Sequence, residues 1–312
     1  MDKFSRVLIT GGKGFLGSSL SEHLLHHGQK FVCAVGKNNG YDLTQRHEAD
    51  KLFSTIEPDV VFHLAATVGG IGANRKAPGR FWYENTMMGA NVLECCREYG
   101  VEKLVLVGTT CAYPKYCATP FKEHDIWGGY PEETNAPYGV AKKSVMVGGM
   151  AYALEYGMSV VSPILTNLYG PGDHYTAESS HVIPDMIRKF HEARILKQDV
   201  TLWGDGTPTR DFLYVTDACE ALHRIAVLPV GGEPINFGSG MEISMSDLAT
   251  GIAEVTGFEG SINWDSSKPN GQPRRVLDVT RARDIGWEPK ISLRQGLRLT
   301  YEDFLGRHTR SV

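Results

Sequence analysis

The chain has 312 residues, 42% hydrophobic and 22% charged, with a formal net charge of −4. That length suffices for a large core in one or two domains, and a weakly acidic balance without a basic block excludes nucleic acid and anionic membrane as expected partners. No apolar run approaches the ~18 residues of a membrane span, a strand begins too early for a signal peptide, and the six cysteines (Cys33, Cys95, Cys96, Cys111, Cys117, Cys219) show no Cys-x-x-Cys spacing. A cytoplasmic protein without a disulfide framework is the expectation.

The run Val7-Leu8-Ile9-Thr10 predicts a buried strand that turns at once into Gly11-Gly12-Lys13-Gly14-Phe15-Leu16-Gly17 and opens an apolar helix over 15–27, stopped by Gly28. This order is what a dinucleotide site requires. Gly11 permits the tight turn, Gly14 lets backbone amides approach a pyrophosphate, and Gly17 lets the helix lie close to the strand. His23, His26 and His27 have the spacing of metal ligands on that helix, but no carboxylate or cysteine joins them and histidines suit a helix C-terminus. No metal site is expected.

Strand two, over 31–35, is followed by Gly36-Lys37-Asn38-Asn39 instead of the acidic residue that binds a ribose 2′-hydroxyl. A lysine there suits a 2′-phosphate, so NADPH is favoured over NADH. Asp42-Leu43 resembles the turn that lies against an adenine ring. Strand three, over 59–66, ends in Ala65-Ala66, where a cofactor backbone has room to pass. The segment 68–74, with its three glycines, reads as a flexible loop at a strand's carboxyl end, the edge where open α/β sheets bind ligands. A long helix over 83–99 precedes strand four, over 103–107.

Strand four runs into Val107-Gly108-Thr109-Thr110-Cys111, and Asn135-Ala136-Pro137-Tyr138 opens a helix over 138–156. Tyr138 and Lys142 are four apart and share a helix face. A lysine ammonium beside a phenol favours the phenolate and so is expected to lower the tyrosine pKa. The Thr109 hydroxyl can bond the same substrate oxygen. Cys111, two residues on, is a base when nearby charge favours its thiolate, and His181 is an acid that titrates near neutrality. By residue chemistry alone, an inert cysteine and an ordinary loop histidine remain open alternatives for these last two.

The segments 65–71 (AATVGGI), 111–115 (CAYPK), 166–171 (TNLYGP), 180–184 (SHVIP), 268–269 (KP) and 271–275 (GQPRR) carry a resemblance along essentially the whole chain. The sequence resembles the extended short-chain dehydrogenase/reductases and, within them, the GDP-L-fucose synthase family. The glycine loop and Tyr-x-x-x-Lys are superfamily features; the Cys-x-Tyr-Pro and Ser-His-Val-Ile-Pro segments are far more discriminating.

The resemblance implies an α/β fold, a Rossmann-type doubly wound parallel sheet with a smaller C-terminal substrate-binding domain. The NADP-binding part would be 1–170, with about 211–240 returning to it, and 171–312 would mainly bind a GDP-sugar. It implies NADPH-dependent 3,5-epimerisation and 4-reduction of GDP-4-keto-6-deoxy-D-mannose. Cys111 and His181 would exchange the ring protons; Thr109, Tyr138 and Lys142 would serve reduction. It adds Leu165, Thr166, Asn167, Leu168 and His181 to the cofactor contacts, and Asn167, Lys189, Trp203, Arg210 and Asn270 to those of the sugar nucleotide. Lys189 and Arg210 suit a diphosphate, and Trp203 offers a flat face. Three departures are noted: Thr109 is a permitted alternative to serine, Asn270 stands where aspartate is common, and Leu165 where proline is common. A homodimer through the helices over 83–99 and 138–156 is expected, with Val145, Met146, Met150 and Ala153 as its apolar stripe. The alternatives are a reductase or epimerase of a related GDP-4-keto sugar, such as a 6-deoxy-heptose, and an idle nucleotide sensor. The intact Thr109, Tyr138 and Lys142 set argues against the sensor.

Overall fold

The computed structural model describes residues 4–37, 40–176, 180–229, 231–268 and 270–308. Asn38, Asn39 and Pro269, each part of an expectation above, lie outside the described residues. The first half alternates strand and helix: β1 Val7–Thr10, α1 Phe15–His26, β2 Val32–Val35, α2 Arg46–Ile56, β3 Val60–His63, α3 Ile71–Lys76, α4 Pro78–Glu98, β4 Lys103–Leu106, β5 Gly108–Thr109, α5 Ala136–Tyr156 and β6 Val160–Val161. β1, β3, β4 and β6 are buried at every residue, as continuous apolar strands covered on both faces must be. The sheet order is β2-β1-β3-β4-β6, parallel throughout. Connections from β1 therefore run outward in opposite senses to β2 and to β3, and the crevice at their carboxyl ends is where such sheets bind ligands.

Two readings from the sequence change here. The glycine-rich segment after β3 is not a loop throughout: its second half is α3, steadied by buried Asn74, whose Nδ2 donates to the carbonyls of Gly69 and Gly70 at 2.8 and 3.2 Å. The helix expected from Tyr83 starts at Pro78, because proline at a first turn loses no hydrogen bond and presets φ.

The second half carries β7 Pro163–Leu165, β8 Asn167–Tyr169, α6 Val182–Leu196, β9 Val200–Trp203, β10 Thr209–Arg210, β11 Phe212–Tyr214, α7 Val215–Val227, β12 Ile235–Phe237, β13 Ile243–Ser244, α8 Met245–Thr256, β14 Ile262–Asp265, β15 Arg274–Arg275, α9 Thr280–Asp284 and α10 Leu293–His308. β12 joins β7 and β5, β11 joins β8, and the apolar face of α7 packs with β1 and α1 in one core. A separate core gathers α6, α8 and α10 around Phe190, Leu248 and Phe304. No described helix is long and apolar enough to cross a membrane, and all six cysteines are free.

The apolar stripe foreseen on α5 is partly spent inside the chain. Val145 and Met146 are buried. Val145 fills the space over Gly89 of α4, where a Cβ would come within 2.4 Å of it, and Met146 lies over Gly108. The large apolar side chains these helices leave exposed are Trp82, Tyr83, Val147, Leu154 and Tyr156.

Candidate active site

The glycine loop is built by exclusion of side chains. Gly11 has φ of 72°, and a Cβ there would lie 2.6 Å from the Ala65 nitrogen. At Gly17 a Cβ would lie 2.3 Å from the Gly11 carbonyl, so only glycine lets α1 settle on the loop. Gly14 is different: its Cβ would be merely tight, 3.3 Å from the Gly11 carbonyl, and no side chain caps α1. The amides of Phe15, Leu16 and Gly17 thus stand at an uncapped helix N-terminus beside the β1/β3 crevice, which fits a dinucleotide pyrophosphate. Thr10 Oγ1 lies 2.8 Å from His63 Nδ1 and accepts from the Ala65 amide at 3.4 Å, fastening the two strand ends together. Burial, then the charge of Lys142, hold His63 neutral by lowering its pKa to about 3.

At the end of β2, Lys37 is exposed and pairs with Asp42 at 2.8 Å. A carboxylate therefore does follow β2 after all, supplied five positions on and already matched by a lysine. Lys13 of the glycine loop packs against Gly36 and its charge reaches Cys33, so a second cation flanks the same strand end. Asp42 also accepts from the amide and hydroxyl of Thr44, at 3.1 and 2.7 Å, and Leu43 is buried with its carbonyl bonded by Asn91.

Thr109, Cys111, Tyr138 and Lys142 come together because α5 begins against the turn after β5. Gly139 makes this possible, since a Cβ there would lie 2.2 Å from the Cys111 carbonyl. Thr109 Oγ1 accepts from the Cys111 amide at 3.2 Å and its hydroxyl bonds Tyr138. Lys142 is buried, which lowers its pKa to about 8. The expected effect of this lysine on Tyr138 is not what the structure gives. Burial raises the Tyr138 pKa, with the charge of Cys111 adding to the rise and only Thr109 opposing it. Desolvation of the phenolate outweighs its neighbours, and the phenol is held protonated, the form a proton donor needs.

The sulfur of Cys111 accepts from Asn135 Nδ2 at 3.4 Å and from Arg275 Nη1 at 3.9 Å. A guanidinium and an amide therefore face the atom on which a thiolate would carry its charge. Arg275 is the parallel-strand neighbour of Arg210, and burial plus this second guanidinium lower the Arg210 pKa to about 10. Arg210 donates to the carbonyls of Thr209 and Gln272, both at 2.7 Å. Among the described residues neither arginine has a carboxylate partner. Two adjacent cations without an acid form a site for an anion.

His181 stands at the N-cap position of α6 with its side chain about half-exposed and Nδ1 3.1 Å from Asp173 Oδ2. Asp173 is buried and is itself fixed by the His174 amide at 2.8 Å. Its hydrogen bond raises the His181 pKa against the effect of burial, favouring the imidazolium. Asn167 opens β8 beside β11 and donates to the Asp211 carbonyl at 2.9 Å, and Thr166 donates to the same oxygen at 3.0 Å. Leu165 is buried and Leu168 partly so. Trp203 is 67% exposed, with the Lys268 ammonium 5.8 Å from its ring. Asn270 Oδ1 accepts from the Asp205 amide at 3.0 Å and so ties down the loop after Trp203, an acceptor role an aspartate would fill equally. Lys189 is not gathered with the arginines; it pairs with Asp185 at 2.7 Å, one turn back on α6.

Four residues that sequence reasoning left without a role emerge from the geometry: Gly139, Asn135, Arg275 and Asp173. Asn135 and Arg275 stood only as members of the segments named above, Gly139 and Asp173 carried no signal, and each acts through a contact that the sequence does not announce.

This fold and cluster define a dinucleotide-dependent enzyme of the Rossmann class. The chain belongs to the NAD-dependent epimerase/dehydratase family, whose pattern matches residues 7–238. It is 42% identical to the GDP-L-fucose synthase of Sinorhizobium fredii over 96% of this chain and 95% of that one. A GDP-L-fucose synthetase from Naegleria fowleri bound to NADP superposes with a TM-score of 0.89 at 29% identity, covering 97% of this chain and 93% of that one. A GDP-mannoheptose C4 reductase from Campylobacter jejuni with NADP bound gives 0.88 at 28% identity over 98% and 99%.

Proposed function

We propose that this protein converts GDP-4-keto-6-deoxy-D-mannose to GDP-L-fucose by 3,5-epimerisation and 4-reduction with NADPH. The observation that carries the reading is the convergence on one turn of a hydroxyl-phenol pair, a buried lysine and a cysteine faced by donors, beside two acid-free arginines. The high identity to a GDP-L-fucose synthase over the full length supports the substrate.

NADPH, when bound, supplies the hydride that reduces C4. The uncapped end of α1 and Gly14 would hold its pyrophosphate, and Lys13 and Lys37 its 2′-phosphate, with Lys37 leaving Asp42. Arg210 and Arg275 would take the diphosphate end of the sugar nucleotide. In the 4-keto sugar, protons at C3 and C5 are acidic because their loss gives an enolate. Cys111 as thiolate removes each proton, and its charge is met by Asn135 and Arg275. His181, whose imidazolium Asp173 favours, returns a proton to the other face, which inverts the centre, and proton exchange with solvent restores thiolate and imidazolium before the second centre is inverted. Tyr138 then donates its phenolic proton to the C4 oxygen as it becomes an alkoxide. Thr109 orients that oxygen, and Lys142 stabilises the phenolate that remains.

Residues 1–170 with 211–240 would form the cofactor part and most of the remainder the sugar-nucleotide part. Two chains would pair through α4 and α5, using the exposed Trp82, Val147 and Leu154 instead of Val145 and Met146; the setting would be the cytoplasm.

The decisive experiment is turnover of GDP-4-keto-6-deoxy-D-mannose with NADPH in deuterated water. GDP-L-fucose bearing deuterium at C3 and C5 is the expected product. NADPH oxidation without ring deuterium would reduce the activity to a 4-reductase, the chemistry named for the Campylobacter jejuni neighbour.

A further inference from the structure

Away from the active site, His23 and His27 stand one turn apart at the C-terminal end of α1, and α7 brings His223 against them. One ring nitrogen from each of the three lies within 4.8 Å of the other two. His23 Nε2 and His223 Nδ1 are 3.2 Å apart. Two imidazoles bound to one tetrahedral zinc ion, with bonds of about 2.0–2.1 Å, place their nitrogens about 3.3 Å apart. The pair already has that spacing.

The tautomer of the third ring is set for the same purpose. His27 Nδ1 lies 2.7 Å from the backbone carbonyl of His23. A carbonyl only accepts, so Nδ1 carries the proton and Nε2 presents its lone pair, the way ligating histidines are commonly oriented. The His23 and His27 rings stack at 4.1 Å, and the His223 ring stands edge-on to them at 5.3 and 5.5 Å.

The surroundings favour a cation. α1 ends at His26 and α7 at Val227, so both helices bring their negative ends here. Glu220, one turn back on α7 and paired with Lys290 at 2.7 Å, adds negative charge that reaches the half-buried rings of His23 and His223.

We propose that His23, His27 and His223 bind one divalent transition-metal ion of the zinc class, water completing the sphere, and that the ion fastens α1 to α7. Imidazole sets select zinc, nickel and copper over calcium or magnesium. The proton shared between His23 and His223 moves to an outer ring nitrogen on binding, so no net proton is released. The ion sits at the opposite end of α1 from the glycine loop, and its effect is on stability, not on the sugar chemistry. The sequence alone pointed away from a metal here, because His223 is remote from the other two in the chain.

The test is calorimetric titration of chelator-stripped full-length protein with Zn2+, with the visible spectrum of added Co2+ as a second readout. One ion per chain, intensified cobalt d–d bands, and a melting temperature raised by Zn2+ are expected. His223→Ala and His27→Ala should each weaken that binding at least tenfold and abolish the bands, with NADPH turnover unchanged. Should His223→Ala not fold, the exposed His27→Ala decides alone. Absence of micromolar zinc binding, or binding that His27→Ala leaves intact, overturns the proposal; the second result would place the ion elsewhere, such as Cys111 and His181.

Discussion

The residues proposed for reduction and those proposed for epimerisation are built in opposite ways. Tyr138 and Lys142 sit on a single helix, one turn apart, with the lysine buried and the phenol clamped to Thr109. Cys111 and His181 come from different segments, and their partners, Arg275 and Asp173, lie further away still or on a loop. The first is held by local helix geometry, which is rigid and cheap to specify. The second depends on Arg275 reaching Cys111 from 164 residues away and on Asp173 reaching His181 across a loop. The difference teaches that the proposed reductive set needs fewer long-range contacts to be right than the proposed epimerising set.

The sharpest way to break the comparison is Tyr138→Phe. It removes the proton donor but not the packing, so 4-reduction should fall by about 10²–10⁴-fold, while deuterium exchange into C3 and C5, followed by NMR, continues. Cys111→Ser is the mirror experiment: exchange should drop by about 10²-fold or more, while NADPH binding, measured by fluorescence, stays as it was. If both chemistries fall together in either variant, the two centres are not separable. Arg210→Met should raise the KM for the sugar nucleotide by about 10–100-fold with a smaller change in kcat, as for loss of a charged hydrogen bond. Next in size is Asp173→Asn. The carboxylate raises the His181 pKa, so removing it lowers that pKa, and the alkaline limb of epimerisation should move to lower pH with several-fold loss at neutrality. Smallest is a pH effect in the unmodified protein. Lys142 titrates near 8, so kcat/KM for reduction should decline as pH rises through about 8 and the ammonium is lost, a limb that Asp173→Asn leaves in place.

The strand-loop-helix at the start was legible because its signal is local. Gly11, Gly14 and Gly17 answer to three different steric demands, and each demand is met within one turn of chain or against the adjoining strand end. The same holds for Tyr138 and Lys142, whose shared face follows from helical periodicity. The family motifs around Cys111 and His181 marked these residues without saying what activates them. Lys37 shows the limit at close range: its lysine character suited a phosphate, but Asp42 folds back onto it. Lys189 shows it on a helix, where Asp185 at i−4 was present in the sequence and takes the charge.

By itself, then, the sequence determined the alternation of strand and helix, the glycine loop and the helical pair, since each shows as a local pattern along the chain. Only the tertiary structure decided the protonation of Tyr138, because desolvation depends on everything packed around a group. It alone decided that Arg275 joins Arg210 across a strand pairing and faces Cys111, that buried Asp173 holds His181, and that His223 meets the histidines of α1. Electrostatics acts through space, and chain separation carries almost no information about it.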